Sequence, residues 1–150
     1  MLAVDTNLLV YAHRQDAKWH AESHSVLLGL ANGRDPWAIP WPCVHEFLAI
    51  VTHPRIYKPP TPLRTACAAI RAWMASPSMM FIGEGTGYFD KLETIVNAGR
   101  VAGGAVHDAR IVAICQYNGV IELWSADRDF TSFHGFKVRN PLFTAGLGSS

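Results

Sequence analysis

Short apolar runs alternating with longer stretches of helical period constrain this chain most. Leu2-Ala3-Val4, Trp37-Ala38-Ile39, Met79-Met80-Phe81-Ile82 and Ile121-Glu122-Leu123-Trp124 read as strands, and Phe136-Lys137-Val138 as a short fifth. Helical segments separate them, and strands separated by helices imply a parallel sheet covered on both faces. The expected fold is α/β: a three-layer α/β/α sandwich around a short parallel sheet of four to five strands. With 150 residues, about half of them apolar, the chain suits one domain with a real core. That domain is expected over residues 1–142, with 143–150 a disordered or appended tail.

The helices can be placed from their faces and ends. Residues 6–13 turn helical with Leu8, Leu9 and Ala12 inward. A helix over about 17–31 gathers Trp19, Val26, Leu27 and Leu30 on one face and stops at Asn32-Gly33. Pro42 suits the first turn of the next helix, where Val44, Phe47, Leu48 and Val51 form a stripe until His53-Pro54. Thr61 is expected to cap a helix that buries Leu63, Ala66, Cys67, Ile70 and Met74. Thr86 is expected to cap one that buries Phe89, Leu92 and Val96. The helix over about 105–117 is apolar on most sides, as one packed against a sheet should be.

Formal net charge is +1, so no strong global field pulls the chain toward nucleic acid. Cys43, Cys67 and Cys115 are odd in number, widely spaced and set in apolar helical patterns. They read as reduced core thiols in a cytoplasmic protein, and no C-x-x-C pair suggests zinc. No apolar run is long enough to span a bilayer, and Asp5 follows the N-terminus too soon for a signal peptide.

Four acids stand where elements meet loops. Asp5 closes the first strand, Asp127 follows the fourth, Asp108 opens an apolar helix, and Glu46 lies opposite the apolar stripe of the Pro42 helix. Sites in parallel α/β sheets form outside the carboxyl ends of strands, so these acids can meet in one cleft. Unpaired carboxylates there repel, whereas a hard divalent cation such as Mg²⁺ or Mn²⁺ turns the repulsion into binding. Each acid also has a plainer reading: Asp5 and Asp127 as caps, Asp108 as a first-turn acid, Glu46 and Asp129 as solvated side chains. Asn7 and Ser125 could support the acids or serve only local turns. His13, His45 and His107 lie nearby but form no spaced ligand pair. Arg14, Arg110 and Arg128 could hold phosphates or pair with neighbouring acids.

Val4-Asp5-Thr6-Asn7-Leu8-Leu9, His45-Glu46-Phe47-Leu48, His107-Asp108-Ala109 and Trp124-Ser125-Ala126-Asp127-Arg128-Asp129-Phe130 together resemble a PIN domain. More narrowly they resemble VapC toxins of bacterial VapBC toxin–antitoxin pairs, as does the closing His134-Gly135-Phe136-Lys137-Val138-Arg139-Asn140-Pro141-Leu142. The resemblance implies a Mg²⁺- or Mn²⁺-dependent endoribonuclease acting on RNA, tRNA or another structured RNA included. Asp5, Glu46, Asp108 and Asp127 match the family's acidic positions, and Asp129 a frequent additional acid. Ser125 stands where many relatives have Thr. The resemblance also implies a homodimer and a hetero-oligomer with a VapB-like antitoxin, whose C-terminal segment would bring an Arg or Lys across the cleft. Val10, Tyr11, Trp19, Phe47 and Ile50 are expected to supply its apolar groove. Two alternatives stand beside this reading: a PIN-like nuclease acting on DNA or flap structures, and a non-catalytic RNA- or protein-binding module.

Overall fold

The computed structural model describes residues 1–133 and 135–143, so His134 of the closing motif and residues 144–150 of the expected tail lie outside it. The elements run β1 (Leu2–Val4), α1 (Thr6–His13), α2 (His20–Asn32), β2 (Trp37–Pro40), α3 (Trp41–Val51), α4 (Leu63–Met74), β3 (Met79–Ile82), α5 (Tyr88–Gly99), α6 (Ala105–Tyr117) and β4 (Glu122–Trp124). A 3-10 turn (Arg128–Ser132) and β5 (Lys137–Arg139) follow. The strands form one parallel sheet in the order β3-β2-β1-β4-β5.

That order places the site. The chain builds outward from β1 to β2 and β3, then returns to add β4 on the other side of β1. Leu2 pairs with both Trp37 and Glu122, and Val4 with Trp124. With right-handed crossovers, α1–α4 cover one face and α5–α6 the other. The packing agrees: α1 rests on α2 and α3, α3 on α4, and α5 on α6. The carboxyl ends of β1 and β4 therefore flank a topological switch point, where such sheets open a crevice.

The core fills both faces at the centre. Ala3, Val4, Trp37, Ala38, Ile39 and Leu123 are wholly buried, as strands covered on both faces require. Leu8, Leu9, Phe47, Val51, Ile114 and Cys115 join them from the helices. No helix among the described residues is long and apolar enough to cross a membrane.

Toward the edges the sequence reading overstates burial. On α4 only Ala66 and Ile70 are buried, whereas Leu63 is 64% and Met74 49% exposed, and Cys67 faces solvent rather than the core. An i, i+4 pair is all that this helix over the β3 edge can press inward, and Cys67 lies about 100° away from Ala66. On α5 no residue is fully buried, and Phe89 is 64% exposed.

Several ends also shift. Gly87, with φ +85°, precedes α5 in place of Thr86, whose carbonyl instead accepts the Tyr117 hydroxyl. A left-handed backbone there suits glycine and not threonine. Pro62 precedes α4, while the Thr61 hydroxyl meets His13 and Arg14. α2 starts at His20, Ile121 lies outside β4, and β5 begins at Lys137.

Candidate active site

Asp5 is the most buried of the acids, at 5% exposure. It leaves β1 with its N–H donating to the Trp124 carbonyl, which fixes it against β4. Its side chain is held by neutral groups. The Ser125 hydroxyl donates to Oδ2 at 2.7 Å, and the Cys43 thiol donates to Oδ1 at 3.6 Å. Burial raises its pKa to about 6, with the nearby Glu46 adding to the rise; hydrogen bonds from Ser125, the Thr6 backbone and Cys43 oppose it only in part. No one of these donors carries a compensating positive charge.

The other acids gather around it from separate elements. Glu46, on the outward face of α3, accepts the Thr6 hydroxyl at 3.0 Å. Asp108 lies in the first turn of α6, and its pKa is raised by burial and then by Asp127, Asp129 and Glu46. Asp127 follows β4; its N–H donates to Ser125 Oγ at 3.0 Å, and its Oδ1 accepts the Asp129 N–H at 2.9 Å. Ser125 thus serves two acids at once. Asn7 Oδ1 accepts the Ala126 N–H at 3.2 Å, stapling the start of α1 to the loop after β4.

Asp5, Glu46, Asp108 and Asp127 all line one cleft of about 660 Å³, with Asn7, His45, His107 and Arg110 beside them. Asp129 is exposed and does not line it, though its charge reaches Asp108. The carboxylates ring the cleft rather than meeting at a point. Among the described residues no three His, Cys, Asp or Glu side chains stand close enough to hold one ion as placed. Like charges repel, and Asp5 and Glu46 are each drawn to a protein hydroxyl. The donor chemistry nonetheless suits a hard divalent cation: carboxylate oxygens, with Asp5 and Asp108 holding their protons more tightly through burial and then through neighbouring acids.

The remaining candidates divide. Arg14 and His13 sit at the far end of α1; Arg14 forms a bidentate pair with Asp16 and stacks over Tyr57. Arg128 borders a separate depression with Tyr11, Trp19 and Leu142. The expected apolar groove does not form as one surface. Val10 and Phe47 are buried in the core, Tyr11 and Trp19 belong to that depression, and Ile50 lines the acidic cleft. Thr6 and Cys43 are site residues that the sequence reading missed. Each had a signal, because Thr6 follows Asp5 directly and Cys43 precedes Glu46 by nearly one helical turn.

A short parallel sheet with an acid-lined crevice at its switch point is the architecture of PIN-domain nucleases. No protein-family model matches the chain. It is 34% identical over 142 residues to VapC ribonuclease Mb2897 of Mycobacterium bovis, covering 95% of this chain and 96% of that protein. It is 27% identical to ribonuclease VapC48 of Mycobacterium tuberculosis, covering 92% and 95%. Among solved structures it resembles M. tuberculosis VapC20, described as a Sarcin-Ricin loop cleaving toxin, with a TM-score of 0.64 at 15% identity over 91% of this chain and 96% of that one. It resembles VapBC2 from Rickettsia felis bound to a promoter DNA fragment equally well, at 0.64 and 15%, over 93% and 97%. The chain belongs to the VapC ribonuclease family of VapBC toxin–antitoxin systems.

Proposed function

We propose that this protein is the toxin of a VapBC pair: a Mg²⁺- or Mn²⁺-dependent endoribonuclease that leaves 5′-phosphate and 3′-hydroxyl ends. It acts in the cytoplasm on RNA, with tRNA or another structured RNA as the substrate class. The observation that carries this reading is the ring of Asp5, Glu46, Asp108 and Asp127 around one cleft, with Asp5 buried among neutral donors. Asp5 and Asp108 would be direct ligands, with Glu46 and Asp127 holding the ion's outer sphere or a second ion; Asp129, expected from the resemblance as a further metal acid, would act only through its charge on Asp108. A bound divalent cation supplies a water nucleophilic at neutral pH and offsets charge on the phosphoryl oxygens.

The chain's own residues set up that chemistry. Ser125 and Cys43 fix the orientation of the Asp5 carboxylate, and Thr6 fixes Glu46. Asn7 and Ser125 hold the loop that delivers Asp127. A VapB-like antitoxin would silence the cleft with a cationic side chain, because a carboxylate ring favours an Arg or Lys. Tyr11 and Trp19, beside Leu142 and the exposed Phe143, offer it apolar purchase. The active unit would be a homodimer, paired with antitoxin chains in the silent complex.

Purified protein should cleave labelled RNA with Mg²⁺ or Mn²⁺ and stop with EDTA. Cleavage that persists in EDTA would sink the metal role, and cleavage of DNA flaps but not RNA would reassign the substrate. Co-expression with a VapB-like partner should give a nuclease-silent complex that regains activity when the partner is removed.

A further inference from the structure

An RNA phosphodiester is an anion, yet the cleft that would receive it is lined with carboxylates. Among the described residues, Arg110 of α6 is the single Lys or Arg lining that cleft. Its Nε–H donates to Glu84 Oε1 at 2.5 Å, in a pair whose side chains are 41% and 36% exposed. Glu84 lies in the loop after β3, and the end of α6 with the following Asn118 holds that loop at three further points. Asn118 Nδ2 donates to the Gly83 carbonyl at 3.0 Å, and the Tyr117 hydroxyl donates to the Thr86 carbonyl at 2.8 Å. At Gly85 a Cβ would stand 2.7 Å from the Tyr117 hydroxyl, so the backbone lies against the ring there. Glu84 is therefore a fixed anion, its pKa lowered first by the hydrogen bond from Arg110 and also by the charges of Arg110 and His45.

A guanidinium lining the same cleft as Asp108, Asp127 and Glu46 would, if unrestrained, be drawn toward them and compete with a metal ion. The Glu84 carboxylate, carried on a backbone held at those points, pairs with Arg110 and opposes that collapse. It engages Nε and leaves the outer nitrogens of the guanidinium, which carry the remaining N–H donors, to meet a ligand.

Resting on the ribonuclease reading, we propose that Arg110 holds a phosphate of the RNA at the cleft, and that Glu84 is a positioning residue keeping Arg110 off the metal-binding carboxylates. The two roles separate experimentally. Arg110→Gln should raise KM for a short RNA roughly ten- to hundredfold, the worth of one charge-assisted hydrogen bond, with kcat changed less. It should lower the slope of log binding against log salt by about 0.7, one phosphate's share on a single strand. The melting shift produced by Mn²⁺ should stay. Arg110→Lys should recover only part of the affinity, because an ammonium lacks the planar fork. Glu84→Gln should raise the Mn²⁺ concentration needed for half of the melting shift, and adding Arg110→Gln should restore it.

RNA binding is read by fluorescence anisotropy in the cleavage-impaired Asp108→Asn background, and turnover in the otherwise unaltered protein. Parental KM and salt slope in Arg110→Gln would overturn the phosphate role. An unshifted Mn²⁺ midpoint in Glu84→Gln would overturn the positioning role. If the unaltered protein cleaves no RNA, the ribonuclease proposal fails by itself, and the anisotropy slopes still decide whether Arg110 meets a phosphate.

Discussion

Asp5 and Asp108 look into one cleft from opposite circumstances. Asp5 is buried at the end of a central strand, with neutral donors on both oxygens. Asp108 is only partly buried, on the first turn of a helix, and it feels Asp127, Asp129 and Glu46 across the opening. Both hold their protons more tightly than ordinary carboxyls, and burial is the leading cause at each; Asp5 adds one like charge to a near-complete enclosure, whereas Asp108 adds three to a milder one. The difference teaches that the strand end supplies a rigid, costly anchor, while the helix and loop supply adjustable charge.

The sharpest test of that contrast separates activity from stability. Asp5→Asn and Asp108→Asn should each reduce cleavage more than about 100-fold, beyond what loss of a ligand's supporting contact costs. Their melting temperatures should diverge. Asp5→Asn should raise the melting temperature in EDTA near pH 7.5 by several degrees, because it removes a buried charge while its amide oxygen still accepts from Ser125. Asp108→Asn should move it less. Equal melting shifts would erase the distinction between anchor and adjustable charge.

pH sharpens the same point. A carboxyl whose folded pKa is raised binds its proton more tightly in the folded chain. Its stabilising contribution is complete below the unfolded value near 3.8 and is lost as pH rises through about 6. For Asp5 that change amounts to about 3 kcal/mol across the window from 3.8 to about 6. Denaturation in EDTA should show this loss, and Asp5→Asn should flatten it. A profile that stays the same in Asp5→Asn would assign the effect elsewhere.

Smaller effects should follow the hydrogen bonds. Ser125→Ala removes the donor to Asp5 and the acceptor for the Asp127 N–H, and should cost roughly 10- to 100-fold in turnover or metal affinity. Ser125→Thr should restore most of it. Cys43→Ala removes one long thiol bond and should cost less than Ser125→Ala in the same assay, with Cys43→Ser intermediate. Asp129→Asn, at the exposed margin, should change cleavage by no more than about threefold, and less at high salt. A larger loss at Asp129 than at Ser125 would invert the proposed hierarchy.

How legible the molecule was from its sequence follows the same gradient from centre to edge. The central strands bury their apolar residues as their patterns require, because helices cover both faces of the sheet, and α1, α3 and α6 bury the stripes they turn to the core. Leu63, Cys67, Met74 and Phe89 look equally apolar in sequence but sit on helices with a single neighbour layer, which a local pattern does not report. Asp5, Glu46, Asp108 and Asp127 were readable as one cleft because each marks an element's end or outward face. The ion pair of Glu84 and Arg110 was not, since the partners lie 26 residues apart and meet only when α6 folds back along the loop after β3. The antitoxin groove failed for a related reason: Val10 and Phe47 lie on faces turned to the core, a fact fixed by α1 packing on α3.

The position of β4 beside β1 also governs when the site can exist. Asp5 leaves the ribosome well before Ser125 and Asp127, which come from a late part of the sheet. Until residues 122–130 have emerged, β1 has an open edge, Asp5 lacks its hydroxyl donor, and one wall of the cleft is missing. A nuclease assembled in this order completes its cleft only after β4, made near the end of the sheet, has paired with β1, made at its start.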